Sequence, residues 1–117
     1  MTAPAVRVVV IDDSASARRW IKAVLMRDGM EVAGEAADGR SGRDLIVAAD
    51  PDVVTLDIDM PGVDGLTLLR AITEHAPRPV VVLSGRMTSD RGLEMAALQA
   101  GAERRVADAL GFRLRRG

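Results

Sequence analysis

The chain has no cysteine and no tyrosine, one histidine, one tryptophan and one phenylalanine, so aromatic residues make up only 2% of it. Neither a disulfide nor a thiolate metal site can form. The formal net charge of −1 at pH 7 lacks the basic excess that binding to nucleic-acid backbones or anionic membranes requires. Neither partner is expected. Apolar runs are far too short to span a bilayer, and Met1-Thr2-Ala3-Pro4 has none of the basic and long apolar regions of a secretory signal. A soluble cytoplasmic protein is the expectation. No glycine-rich phosphate loop follows the first apolar run, which continues as Asp12-Asp13-Ser14, and this excludes nucleotide binding of that type. No G-x-S-x-G elbow is present, and His75 has no evident catalytic partner. A serine hydrolase is thereby excluded. Of 16 basic residues only Lys22 is a lysine, a bias attributed to base composition rather than to function.

What remains is a chain of 117 residues with 48% hydrophobic content, a size for one domain that buries roughly two-thirds of its unfolded surface. A second catalytic domain does not fit. Apolar β-branched runs recur at Val6 to Ile11, Val32 to Ala36, Val53 to Leu56 and Val80 to Leu83, with a weaker one around Val106. Successive markers Val8, Val32, Val53, Val80 and Val106 lie 24, 21, 27 and 26 residues apart, room for one crossover helix each. Runs apolar on both faces with helices between them predict a parallel sheet covered on each side.

Ser14 is placed to cap a first helix whose buried face is Ala17, Trp20, Ile21, Val24 and Leu25, with Asp28-Gly29 ending it. A second starts near Gly39-Arg40-Ser41, presents Leu45, Ile46 and Ala49, and stops before Asp50-Pro51. Gly62 to Gly65 reads as a loop, and Leu66, Leu69 and Ile72 carry a third helix. A fourth is predicted from Leu93, Ala96, Ala97 and Ala100 at helical spacing, capped by Thr88 or Ser89 and ended by Gly101.

Asp12 and Asp13 close the first run, and Asp57 closes the third. If those strands are neighbours, the three carboxylates converge at the carboxyl rim of the sheet, where open α/β sheets bind ligands. Such a crowd is repulsive unless a hard cation with oxygen ligands sits in it. An Asp-Asp pair alone is more often a capping or turn device. Agreement between separate strand ends favours a magnesium-type site at which Asp57 could accept a phosphoryl group. Ser84, ending the fourth run, could hydrogen-bond a phosphoryl oxygen, and Gly85 would leave room for the donor. His75 reads as a solvated helix-end residue and Trp20 as helix packing. Asp57-Ile58-Asp59 also matches the D-x-D of a haloacid-dehalogenase-like phosphatase, with Asp59 as acid/base. Pro61 and placement on the third strand speak against it.

The set Val8-Val9-Val10-Ile11-Asp12-Asp13-Ser14, Pro51 to Pro61, Asp64-Gly65-Leu66 and Val80-Val81-Val82-Leu83-Ser84 resembles the receiver domain of two-component response regulators, over residues 6 to about 102. Thr55-Leu56-Asp57, Arg78-Pro79-Val80-Val81-Val82 and Ser84 followed by Thr88 and Gly92 are most similar to the receiver of chemotaxis protein-glutamate methylesterases. The resemblance implies a doubly wound, flavodoxin-like (βα)5 fold with strand order 2-1-3-4-5, and Asp57 phosphorylated by a histidine kinase. It further implies Mg²⁺ held by Asp13, Asp57 and the main-chain carbonyl of Asp59, with Asp12 acting through water and Ser84 as the hydroxyl switch. An output domain, attached or separate, is implied as well. No esterase activity is expected of this chain, only Mg²⁺-dependent self-phosphorylation and dephosphorylation. The alternative is a degenerate receiver that binds partners without phosphorylation.

The last unit departs from that pattern. Aligned from Ala100-Gly101-Ala102, the family's lysine falls on Asp108, its proline on Ala109 and its aromatic switch residue on Arg105. An anion in place of that cation, about 5 Å from a phosphoryl group, costs on the order of 3 kcal/mol per unit charge at an effective dielectric near 20. The fifth β/α unit is therefore expected to be degenerate or truncated. Residues from about 103 read as an altered or out-of-frame tail, or as a native one in which Arg86, Arg104 or Arg105 replaces the lysine.

Overall fold

Four of the apolar runs pair as parallel strands in the computed structural model, which describes residues 4–57, 65–75, 78–83, 93–95, 105–106 and 108–111. In chain order the elements are β1 (Arg7–Ile11), α1 (Ala15–Arg27), β2 (Glu31–Ala36), α2 (Gly39–Ala49), β3 (Val53–Asp57), α3 (Gly65–His75), β4 (Val80–Leu83) and β5 (Leu93–Met95). The sheet runs β2-β1-β3-β4-β5. Because β1 lies between β2 and β3, the chain reverses its direction of winding there, and the ends of β1 and β3 become neighbours. Their register is regular, from Val8 opposite Val53 to Ile11 opposite Leu56. Against β2 the register slips between Val8 and Val9, so that Ala33 is passed over.

Alternation along the strands divides the core in two. Val8, Val10, Val53, Val81 and Leu83 face α1, whose Ile21, Val24 and Leu25 are buried on them. Val9, Ile11, Val54, Leu56, Val80 and Val82 face the other way, onto Ile46 of α2 and Leu68 and Ile72 of α3. The strands β1, β3 and β4 are apolar on both faces because both faces are covered. The α2 helix comes so close to the end of β1 that a Cβ on Gly42 would lie 2.6 Å from Cδ1 of Ile11. A side chain there would push on the residue just before Asp12.

The caps follow the sequence. The Ser14 hydroxyl accepts from the Ala17 amide at 3.2 Å, and α1 ends at Asp28 with Gly29 at φ +83°. Asp38 caps α2 by accepting from the Ser41 amide at 2.8 Å. At the far end of α2, Asp50 adopts left-handed geometry, φ 48°, before Pro51. Among the described residues no helix is long and apolar enough to cross a membrane.

Three expectations need correction. The fifth strand is Leu93–Met95, antiparallel to β4, and not a parallel strand around Val106. Only residues 84–92 join β4 to it, too few for a crossover helix but enough to reverse the chain. Leu93 thus belongs to a strand and not to the predicted fourth helix; Thr88, Ser89, Ala96, Ala97, Ala100 and Gly101 lie outside the described residues. Val106, by contrast, is helical and fully buried, and with Leu110 at i+4 it packs on the α1 face of the sheet. That spacing is a helical one, so the run serves as a short covering turn. Trp20 is 55% exposed, because the buried stripe of α1 runs through Ile21, Val24 and Leu25 and leaves position 20 roughly a quarter-turn to one side.

Candidate metal centre

Asp12 follows β1 directly and continues its ladder, since its amide donates to the Ala36 carbonyl of β2 at 3.0 Å. The chain then turns into α1. The Ser14 amide donates to Oδ1 of Asp12 at 2.9 Å, so the residue that caps the helix also orients the carboxylate. On the neighbouring strand Asp57 is the last residue of β3, in register with Leu83 of β4. Asp12 and Asp57 are each 7% exposed, whereas Asp13 is exposed. One carboxylate oxygen from each of the three lies within 4.8 Å of the others.

Burial pushes the Asp12 carboxyl above its ordinary value of 3.8, and the like charge of Asp13 adds to this; the Ser14 amide, Arg18 and a hydrogen bond with Asp57 pull the other way. Burial wins. Three acidic groups with only oxygen donors, two of them withdrawn from water, form a donor set suited to a hard divalent cation. A cation there would offset both the desolvation and the mutual repulsion.

Sequence reasoning missed the basic flank of this centre. Nη1 of Arg18, one turn into α1, donates to the Asp12 carbonyl at 2.7 Å, and its Nε donates to Oε1 of Glu35 at 2.8 Å. Lys22 pairs with the other oxygen of Glu35. The available signal was a basic pair at i, i+4 on one helix and a second glutamate, Glu35, near the carboxyl end of the small-residue strand β2.

Asp59 and Ser84 lie outside the described residues, as do Arg86 and Arg104. Asp108 and Arg105 are exposed on the helical turn beside Val106, and Asp108 is not part of the carboxylate cluster. It therefore lies on a helical turn and not at a strand end, where the family alignment placed it. His75 is exposed at the end of α3.

Residues 8–108 match the family described as the response regulator receiver domain. This chain belongs to that family. The receiver is 46% identical over 98 residues to a protein-glutamate methylesterase/protein-glutamine glutaminase of Burkholderia thailandensis, a match covering 83% of this chain and 28% of the relative. A methylesterase/glutaminase of Myxococcus xanthus gives the same identity and the same coverage of both chains. The receiver thus spans less than a third of the length of these relatives. Among solved structures, the response regulator domain of Thermotoga maritima CheB superimposes with a TM-score of 0.67 at 29% identity, covering 91% of this chain and 73% of that one. The receiver domain of NarL from Mycobacterium tuberculosis gives 0.66 at 31%, covering 92% and 79%.

Proposed function

We propose that this receiver is a phosphoacceptor of a two-component, chemotaxis-type pathway, phosphorylated on Asp57 by a histidine kinase in a Mg²⁺-dependent reaction in the cytoplasm. The observation that carries the reading is the gathering of Asp12, Asp13 and Asp57 within 4.8 Å at the carboxyl ends of β1 and β3. Asp13, Asp57 and the main-chain carbonyl of Asp59 would hold the ion, with Asp12 reaching it through water. When bound, the ion supplies neutralising charge for the phosphoryl oxygens.

The residues of the chain do the rest. An oxygen of Asp57 attacks phosphorus, the bond from phosphorus to the donor nitrogen breaks, and that nitrogen leaves as imidazole with its electron pair; the product is an acyl phosphate. Burial of Asp57 limits water around this mixed anhydride, and the rigid end of β3 holds the carboxylate in line. Ser84 is assigned the hydrogen bond to a phosphoryl oxygen. We take residues 1–117 as a single receiver unit, well matched over 1–102. The packing of Val106 and Leu110 on the α1 face supports including the atypical tail, 103–117, within it. Phosphorylation then controls an output of methylesterase type that lies outside these residues.

Acetyl phosphate with Mg²⁺, read by intact mass, tests the reaction, and beryllofluoride with amide NMR tests the site. The expected result is one phosphoryl adduct, labile in base, dependent on Mg²⁺ and lost in Asp57→Asn. Absence of both adduct and Mg²⁺ response would reject phosphorylation in favour of a binding module. Multiple-turnover phosphate release from unrelated esters would instead favour the D-x-D phosphatase.

A further inference from the structure

The acidic centre has a support that its ligands alone do not explain. Arg18 reaches from α1 to two elements at once, donating from Nη1 to the Asp12 carbonyl and from Nε to Glu35, near the end of β2. Its side chain is only 17% exposed. Glu35 is itself held on its second oxygen by Lys22, one turn further along α1. The hydrogen bond from Lys22 and then that from Arg18 hold the Glu35 carboxyl below its ordinary value, so it stays ionised and anchors the guanidinium. The same Asp12 takes the Ser14 amide on its carboxylate and gives its own amide to Ala36. All three polar groups of that residue are therefore fixed, and the peptide leading to Asp13 is fixed with them.

We propose that Arg18 is a positioning residue for the metal centre: a guanidinium fork, anchored on Glu35, that holds the Asp12 carbonyl and so sets the backbone on which Asp12 and Asp13 are carried. This rests on the reading of the cluster as a Mg²⁺ site. Two effects of Arg18 on a cation oppose each other. As a positive charge beside the site it repels the ion, whereas as a brace it prepays the ordering of the ligands. Lysine keeps the charge but, as a single ammonium on a flexible stem, cannot reproduce the planar fork. The brace dominates, because partners that orient metal ligands typically contribute about tenfold or more to affinity, while the guanidinium charge is offset by Glu35, with which it is paired.

Arg18→Gln and Arg18→Lys separate the two effects when Mg²⁺ affinity is measured by amide NMR titration of the purified chain. The brace predicts an increase in dissociation constant of about tenfold for Arg18→Gln and a several-fold increase for Arg18→Lys. Tighter binding by Arg18→Gln with unchanged binding by Arg18→Lys would overturn it, since charge alone gives that pattern. Hydrogen exchange of the Ser14 amide, measured without metal, provides a second readout. It is expected to quicken about tenfold in both variants as the Asp12 turn loosens. Unchanged exchange would overturn the brace even if the wild-type chain bound no Mg²⁺, a result that would separately defeat the proposed function.

Discussion

The two rims of the sheet use charge in opposite ways. At the amino rim Arg7 meets an opposite charge and two carbonyls: it donates to Glu31 at 2.8 Å, to the Ala49 carbonyl at 2.7 Å and to the Asp50 carbonyl at 3.2 Å, while its amide donates to Asp52 at 2.9 Å. Arg78 completes the arrangement, pairing with Asp50 and donating to the Pro51 carbonyl at 3.1 Å. These groups close the left-handed turn from α2 into β3, and they leave nothing for a ligand to do. At the carboxyl rim three carboxylates of one sign share a space under 5 Å across. Their repulsion opposes folding, and such an arrangement persists where it serves binding. A charge cluster points to function when its internal balance fails.

Breaking the paired rim should give the largest stability effect. Arg7→Met keeps the apolar stem but removes the donors to Ala49 and Asp50, leaving the last carbonyls of α2 without them. A loss of about 1–2 kcal/mol is expected, read as a lower urea midpoint at unchanged slope. Mg²⁺ affinity should not move. A change in affinity comparable to that of a ligand variant would show that the rims are coupled.

The acidic rim should respond with the opposite sign. Asp12→Asn keeps an acceptor for the Ser14 amide but removes one buried charge, and it is expected to stabilise the metal-free domain by about 1 kcal/mol at neutral pH while weakening Mg²⁺ binding. The pH dependence has a definite direction. Because the folded-state value of Asp12 is raised above 3.8, its cost to folding is complete above the raised value, shrinks as pH falls through it, and is gone below 3.8. The advantage of Asp12→Asn over the wild type should therefore close on acidification. Glu35 behaves inversely: its lowered value means stability present above 4.5 and lost as pH falls through the folded value. Urea melts from neutral to acidic pH would expose an advantage that stayed constant, which would remove burial as the cause.

How much of this was readable in advance depended on the range of the interactions. The strands β1, β3 and β4 announced themselves as runs apolar on both faces, and Ser14 and Gly29 marked the ends of α1 through local capping chemistry. Convergence of Asp12, Asp13 and Asp57 followed from strand ends and sheet order together. Leu93 and Val106 misled because a three-residue edge strand carries too little pattern, and a helical turn needs only two apolar residues four apart. Trp20 misled because a flanking position on a helix wheel still fits a loose apolar stripe. Arg18 and Glu35 were missed for a different reason: their contact joins two elements, and the basic pair at i, i+4 does not by itself name its partner on β2.

Between the rims, the smallest effect is expected at Thr55. It lies mid-strand in β3, with Val10 and Val81 as its register partners, and is fully buried. Among the described residues its hydroxyl oxygen has no hydrogen-bond partner. A hydroxyl taken out of water without a partner costs free energy that the isosteric methyl of valine would not. Thr55→Val should raise stability by about 0.5–1 kcal/mol, with Mg²⁺ affinity and phosphorylation unchanged, since both rims keep their groups. Urea midpoints at constant slope measure the gain. If the variant were destabilised instead, the hydroxyl would be engaged in solution, and the polarity of the carboxyl rim would reach further down β3 than its last residue.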